Sequence, residues 1–301
     1  MVKLSIVYVA RDDRYGDDYN CVEFPEKRSS EEFYKQFTIK FNNIQRIKFA
    51  IENNIKLLDK FFANDYEIIF IDWNPINEQF LYVNNELKQL FAHNNIKNII
   101  VSKKSIEKYG LNPNGFYEYF GKNVGIKNCC GEYILISNPD DVISDELMKN
   151  IKNNITNNDV ADKVYYRCYS RFDVDHDLKI IDEGLSFGKP GNNVFADYYL
   201  GTPASGDFLL TKKNYLNNAT GYDETHISTG NQTMLDGKLC YRLHYCNIIP
   251  KCINGSIMHL DHKKHDRSGF PLNWSSDYIN NDGWGFNNYS IIHLQNNIYV
   301  I

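Results

Sequence analysis

Residues 131–141 read GEYILISNPDD, an apolar run of strand length that stops at Asn138, Pro139, Asp140 and Asp141. A run that is apolar at consecutive positions belongs to a strand buried on both faces, the condition of a parallel sheet covered by helices. Asn-Pro and the paired aspartates are turn chemistry, and Ser144 just beyond them suits the cap of a helix over SDELMKNIKNN. The same side chains also offer the hard oxygens that Mg²⁺ or Mn²⁺ takes together with substrate phosphates and water. The stretch therefore admits two readings, a turn with a cap or a metal-bearing loop. Its place at the carboxyl end of a parallel strand favours a ligand site.

Outward from this strand, KLSIVYVA (residues 3–10) reads as another buried strand running into a polar, Gly-containing loop. Phe33, Phe37, Phe41, Ile44, Ile47, Ile51, Leu58 and Phe61 recur at helical spacing, with Ser29 and Glu32 as a capping box. YEIIFIDW is a further strand, NEQFLYVNNELKQLFAHN a helix, IKNIIVS a strand and FYEYFGKNVGIKNCC a helix. Alternating strands and helices predict an α/β fold with a mostly parallel central sheet. The polar strand ends at residues 11–13, 72–74 and 138–141 should then meet in one cleft. Beyond residue 158 come strand-like KVYYRCYSRFDV, HDLKIIDEG, GDFLLTK and CNIIPKCINGSIMHLDH, with one helix over NQTMLDGKLCYRLHY. No Pro- or Ser-rich linker separates the halves. The expectation is a single domain over residues 1–301, with a ligand-binding half (1–158), a mixed second half (159–262) and a C-terminal strap or lid (263–301).

The composition excludes several classes. Hydrophobic residues make up 43% of the 301-residue chain, too many for disorder, and no run is long enough to span a membrane. The formal net charge of -5 argues against a broad nucleic-acid surface. The seven cysteines form no CxxC pair and do not read as a disulfide framework. With no secretory signal pattern at the N-terminus, the expectation is a soluble, cytoplasmic protein.

Other residues carry chemistry beside a structural alternative. Gly125 and Gly131 permit close backbone approach, and Lys122 and Asn123 reach an anionic or carbonyl group near the cleft or simply pack their helix. Asp72 accepts from a nucleobase or ribose, or ends its strand as a turn residue. IMHLDHKKHDRSG gathers His259, Asp261, His262, His265 and Asp266, which suits a Zn²⁺ site, one His completing a Mn²⁺ site, or a polar loop. Asp236 is a first-turn helix acid or a general base. Trp274, Trp284 and Phe286, set among glycines, suit a mobile lid or a strap packed on the core.

The ordered series SIVYVARDDRYG, IIFIDWNP, KNVGIKNCCGEYILISNPDDVISDEL, YYRCYSRFDV, SGDFLLT, GYDE and IMHLDH resembles the GT-A-type glycosyltransferases, closest to family 2-like nucleotide-sugar transferases. That resemblance implies a GT-A, Rossmann-like single domain and transfer of a sugar, UDP-linked by family prevalence, to a hydroxyl of a glycan or glycoprotein. It implies that Arg11, Asp12, Asp13, Asp72 and the adjoining Trp73 hold the nucleotide, with Lys122 and Asn123 nearby. Asn138 and Asp140 fall at the metal and diphosphate position, Asp141 is a further candidate metal ligand, and His259 is a late one, for Mn²⁺ or Mg²⁺. Gly206 and Asp207 fall beside the donor sugar or acceptor, with Asp207 a candidate catalytic carboxylate and Asp236 the candidate base. Asn138 departs from the family's aspartate at that position. Two alternatives accompany this reading: a glycan- or nucleotide-binding module of the same fold without turnover, and a sugar-phosphate nucleotidyltransferase. The acidic loop after the first strand disfavours the second.

Overall fold

The computed structural model describes residues 2–11, 42–73, 87–157, 163–183, 206–227, 235–262, 278–295 and 297–301. The strands are β1 (Leu4–Ala10), β2 (Tyr66–Trp73), β3 (Ile96–Val101), β4 (Tyr133–Ile136), β5 (Asp141–Ile143), β6 (Val164–Val174), β7 (Ile180–Glu183), β8 (Leu209–Lys212), β9 (Ile249–Leu260), β10 (Ile292–Gln295) and β11 (Ile298–Val300). They join in one sheet of order β10-β11-β3-β2-β1-β4-β8-β6-β9-β5, with β7 paired to β6. From β11 through β4 every neighbour is parallel. Beyond β4 the sheet is mixed: β8 is antiparallel to both β4 and β6, β9 parallel to β6, and β5 antiparallel to β9. This is the expected α/β architecture, with a parallel core and a mixed second half.

Every residue of β1 is buried, and its alternate side chains enter two different cores. Leu4, Ile6 and Tyr8 pack with Ile47, Ile51, Leu58 and Met148; Val7 and Val9 pack with Phe120, Val124 and Ile126. The former layer is α1 (Asn43–Phe62) and, after the short α2 (Lys88–Phe91), α3 (Lys103–Lys108) and α4 (Glu118–Asn128), also α5 (Asp145–Asn157). The latter is α4 together with α8 (Leu235–Tyr245), which follows the short α6 (Lys213–Asn218) and α7 (Glu224–Ile227). Period-two alternation into two covered faces is why the strand reads as continuously apolar.

The α1 helix begins later than the sequence spacing predicts. Asn42 is extended and caps it: its side chain accepts from the Gln45 N–H while the Gln45 side chain accepts from the Asn42 N–H. The Ser29–Glu32 box lies outside the described residues. Helix α4 lies unusually close to β1. A Cβ at Gly121 would sit 2.6 Å from Val9 Cγ1, and one at Gly125 would sit 2.3 Å from Val7 Cγ1. This approach brings Lys122 to the end of β4.

The short β5 is held by a side chain. Asn54 of α1 donates to the Asp141 carbonyl (2.8 Å) and to the Tyr8 hydroxyl (2.9 Å), and accepts from the Ile143 N–H (2.8 Å). A buried amide so used replaces the backbone ladder that an edge strand lacks. At the opposite end of the sheet β11 pairs with β3, so the C-terminal segment is part of the sheet. Trp284 and Phe286 are buried against α4 rather than presented as a stacking surface; Trp274 lies outside the described residues.

Candidate functional site

The register of the mixed half sets out the site. Asp141 of β5 pairs with His259 of β9, and His259 pairs on its other side with Asp173 of β6. Asp140 precedes β5, and its carbonyl accepts from the Leu260 N–H (3.1 Å), which ties the end of β9 to the turn after β4. His262 lies two residues past β9. Asp140, His259 and His262 are all buried, and their donor atoms lie within 4.8 Å of one another. Asp140 Oδ2 is 3.2 Å from His262 Nε2 and 3.8 Å from His259 Nε2. Donors sharing one ion with bonds of about 2.1 Å stand roughly 3–3.5 Å apart, so this set fits a divalent cation with small adjustments.

Burial opposes ionisation of Asp140, but His259, His262 and Arg46 outweigh it and hold the carboxyl below the usual range. Burial pulls the His262 imidazole down in spite of Asp140. His259 Nδ1 lies 3.1 Å from Asp173 Oδ1, an arrangement in which the Nδ1–H donates to the carboxylate and Nε2 faces Asp140. Arg171, two residues before Asp173 and on the same face of β6, bonds Asp173 (2.7 Å) and the carboxylate of Asp207. Burial opposes its charge, yet Asp207, Asp173 and Asp141 raise its pKa further.

A second group adjoins the first. Asn138 donates to Asp207 Oδ1 (2.8 Å) and accepts from Lys122 Nζ (3.0 Å). Lys122 also reaches Glu118 (2.6 Å) and the Gly206 carbonyl (3.1 Å). The Gly206 N–H donates to Asp236 Oδ2 (2.9 Å), at the first turn of α8. A relay of polar contacts through Gly206, Lys122, Asn138, Asp207, Arg171 and Asp173 thus links Asp236 to His259. Tyr222 and Tyr119 lie near Asp236, their rings tilted 42° to each other with centroids 5.1 Å apart.

Other sequence-predicted residues also make contacts within the protein. Asp141 lies outside the Asp140, His259 and His262 group: its Oδ2 accepts from the Asn138 N–H (3.1 Å) and Ser137 Oγ (3.3 Å). Burial, then Asp207 and Asp140, push its carboxyl well above the usual range. Asp207 accepts from Asn138 at Oδ1 and pairs with Arg171 at Oδ2. Asn138 is likewise consumed by protein partners. Asn123 faces away from the cleft: its amide bonds the Tyr222 backbone on both sides and Glu224 Oε1, fastening the turn at Gly221, whose φ is 68°. Trp73 is fully buried, donates to the Gly115 carbonyl (3.2 Å) and packs on Phe120. Asp72 is buried beside Ala10 at the carboxyl end of β2. Arg11 donates to the Asn114 carbonyl (3.2 Å), and Asp12 and Asp13 lie outside the described residues.

Three residues of the site had no role assigned from the sequence: Arg46, and Arg171 and Asp173 within YYRCYSRFDV. His262 was gathered with His259 in IMHLDHKKHDRSG as a candidate metal-site residue, without being singled out. The only local signal was the alternation Arg171-x-Asp173 in a strand, which puts opposite charges on one face.

No described helix is long and apolar enough to cross a membrane. No family model and no curated protein matches the chain. Among solved structures the chain is similar to S. aureus TarS, with a TM-score of 0.48 and 11% sequence identity over 86% of this chain and 37% of that one. A likeness of that degree carries no conclusion about activity.

Proposed function

We propose that this protein is a metal-dependent glycosyltransferase that moves a sugar from a nucleoside diphosphate to an acceptor hydroxyl. The observation that carries the reading is the convergence of Asp140, His259 and His262 beside the carboxyl end of β4, to which a relay of polar contacts joins Asp236. The mixed sheet agrees with the GT-A resemblance drawn from the sequence motifs. Mn²⁺ or a similar cation held by these residues would offset charge on the departing diphosphate. The buried Arg46 guanidinium, 3.9 Å from Asp140, adds a positive charge on the same side. Asp236 is the candidate base: the Gly206 N–H orients its carboxylate, and it takes the acceptor proton as the hydroxyl attacks the anomeric carbon. One such displacement inverts the anomeric configuration.

The reading in which the fold has lost turnover rested on Asn138. That residue is a junction between Lys122 and Asp207, so its amide leaves the three-donor cluster intact. The test is donor hydrolysis across a panel of nucleoside-diphosphate sugars with Mn²⁺ and with EDTA. Turnover of one donor, lost with EDTA and in Asp140→Asn, supports the proposal; no binding or turnover of any donor overturns it. Asp236→Asn should still bind donor while transfer falls about 10²–10⁴-fold.

A further inference from the structure

A catalytic divalent cation in a nucleotide site is commonly held by one or two carboxylates, with the substrate phosphates and water completing its shell. Such an ion arrives with the nucleotide. Here the protein supplies more. His262 Nε2 stands nearer to Asp140 Oδ2 (3.2 Å) than His259 Nε2 does (3.8 Å), and both imidazoles are buried with the carboxylate. Their rings are tilted 50° to each other with centroids 5.0 Å apart. The backbone fixes both: β9 carries His259 in register with Asp173, and the Asp261 N–H bonds the Val174 carbonyl (2.9 Å), which anchors the residue before His262. Asp173, itself held by Arg171, keeps Nε2 of His259 turned inward.

Resting on the proposed function, we infer that His262 is a third protein ligand, and that the site therefore takes its cation before the nucleotide and selects first-row transition ions over Mg²⁺. Two imidazoles and one carboxylate form the donor set suited to such ions; Mg²⁺ prefers an all-oxygen octahedron and gives up water reluctantly. Affinity across ions should rise from Mn²⁺ to Co²⁺, with Mg²⁺ weakest. The nearby Arg46 guanidinium opposes any cation at this position, so an ion sharing only Asp140 would be held poorly without a diphosphate. The second imidazole is what offsets that repulsion.

The test uses Co²⁺ as the probe, followed by its visible absorption, on the full chain with no nucleotide present. One equivalent should bind and give an imidazole-ligated spectrum, Mg²⁺ in about a hundredfold excess should leave it in place, and Mn²⁺ should compete. His262→Asn and His262→Gln should each weaken Co²⁺ binding by at least about tenfold, whereas His244→Asn, an exposed histidine on α8, should not. Absence of Co²⁺ binding until a nucleoside diphosphate is added, ready displacement by Mg²⁺, or unchanged affinity in both folded His262 variants overturns the inference. The wild-type measurements decide the order of binding and the selectivity even if the variants fail to fold. Nucleotide-free Co²⁺ binding that depends on His262, with no donor turned over, removes the glycosyltransferase reading and leaves the ligand assignment standing. Donor turnover supported equally by Mg²⁺ and unaffected by His262→Asn does the reverse.

Discussion

At Asn138 an amide does what a carboxylate cannot: its oxygen accepts from the Lys122 ammonium while its nitrogen donates to Asp207. An aspartate there would keep the lysine but set two carboxylates within hydrogen-bond distance, with buried Asp141 alongside. Asn138→Asp should therefore lower stability by about 1–3 kcal/mol in urea denaturation without tightening metal binding. A variant that is more stable, or that binds Mn²⁺ better, would show that the amide is not placed for Asp207. The sequence made Asn138 look like a weakened ligand because the strand end was legible and the partners across the cleft were not. Asp140, by contrast, was readable from its position alone, as the polar residue just past a buried parallel strand.

The elements of the site depend on side chains that act as backbone. Asn54 supplies the bonds that β5 would otherwise take from a neighbouring strand, and its loss leaves the Asp141 carbonyl, the Ile143 N–H and the Tyr8 hydroxyl without it. Asn54→Ala should cost about 3 kcal/mol, measured by chemical denaturation, and should weaken metal binding by loosening the turn that carries Asp140. A change below about 0.5 kcal/mol would mean that β9 alone holds β5. Where α4 meets α7, Glu224 accepts from Asn123, Tyr109 and the Gly285 N–H. Burial raises its pKa above 4.5, against the lowering effect of those donors and of Lys127. The folded state thus holds this proton more tightly than the unfolded state does. Ionised Glu224 costs stability above its folded pKa, and the cost is relieved as pH falls through that value toward 4.5. Wild type should gain stability relative to Glu224→Gln over that window, and a difference that does not vary with pH would contradict the assignment. The α1 helix shows the limit of periodicity: apolar spacing runs through Asn42, and the period does not report that the amide there caps the helix.

Across the whole molecule, the final residues close one edge of the sheet. The Ile301 N–H bonds the Ile100 carbonyl (2.9 Å), and the Ser102 N–H bonds the Ile301 carbonyl (3.1 Å). Deleting residues 292–301 would bare the β3 edge, so the truncated chain should melt roughly 10 °C lower and aggregate on heating. An unchanged melting temperature would make these strands an appendage. Nothing in HLQNNIYV separates a sheet edge from a strap, since a short strand is defined by the neighbour it finds.

The sequence by itself determined the parallel core, because strands buried on both faces and amphipathic helices write their periods locally. It also put Asp140 at a strand end and His259 among polar neighbours. Only the tertiary structure decided that His262 joins them, that Asp173 and Arg171 stand behind His259, and that Asn138, Asn123 and Asp207 serve the protein's own contacts. Those outcomes rest on the β5-β9-β6 register and on the close seating of α4 against β1. Register is a pairing between segments far apart in the chain, and a one-residue slip would turn His259 away from Asp140.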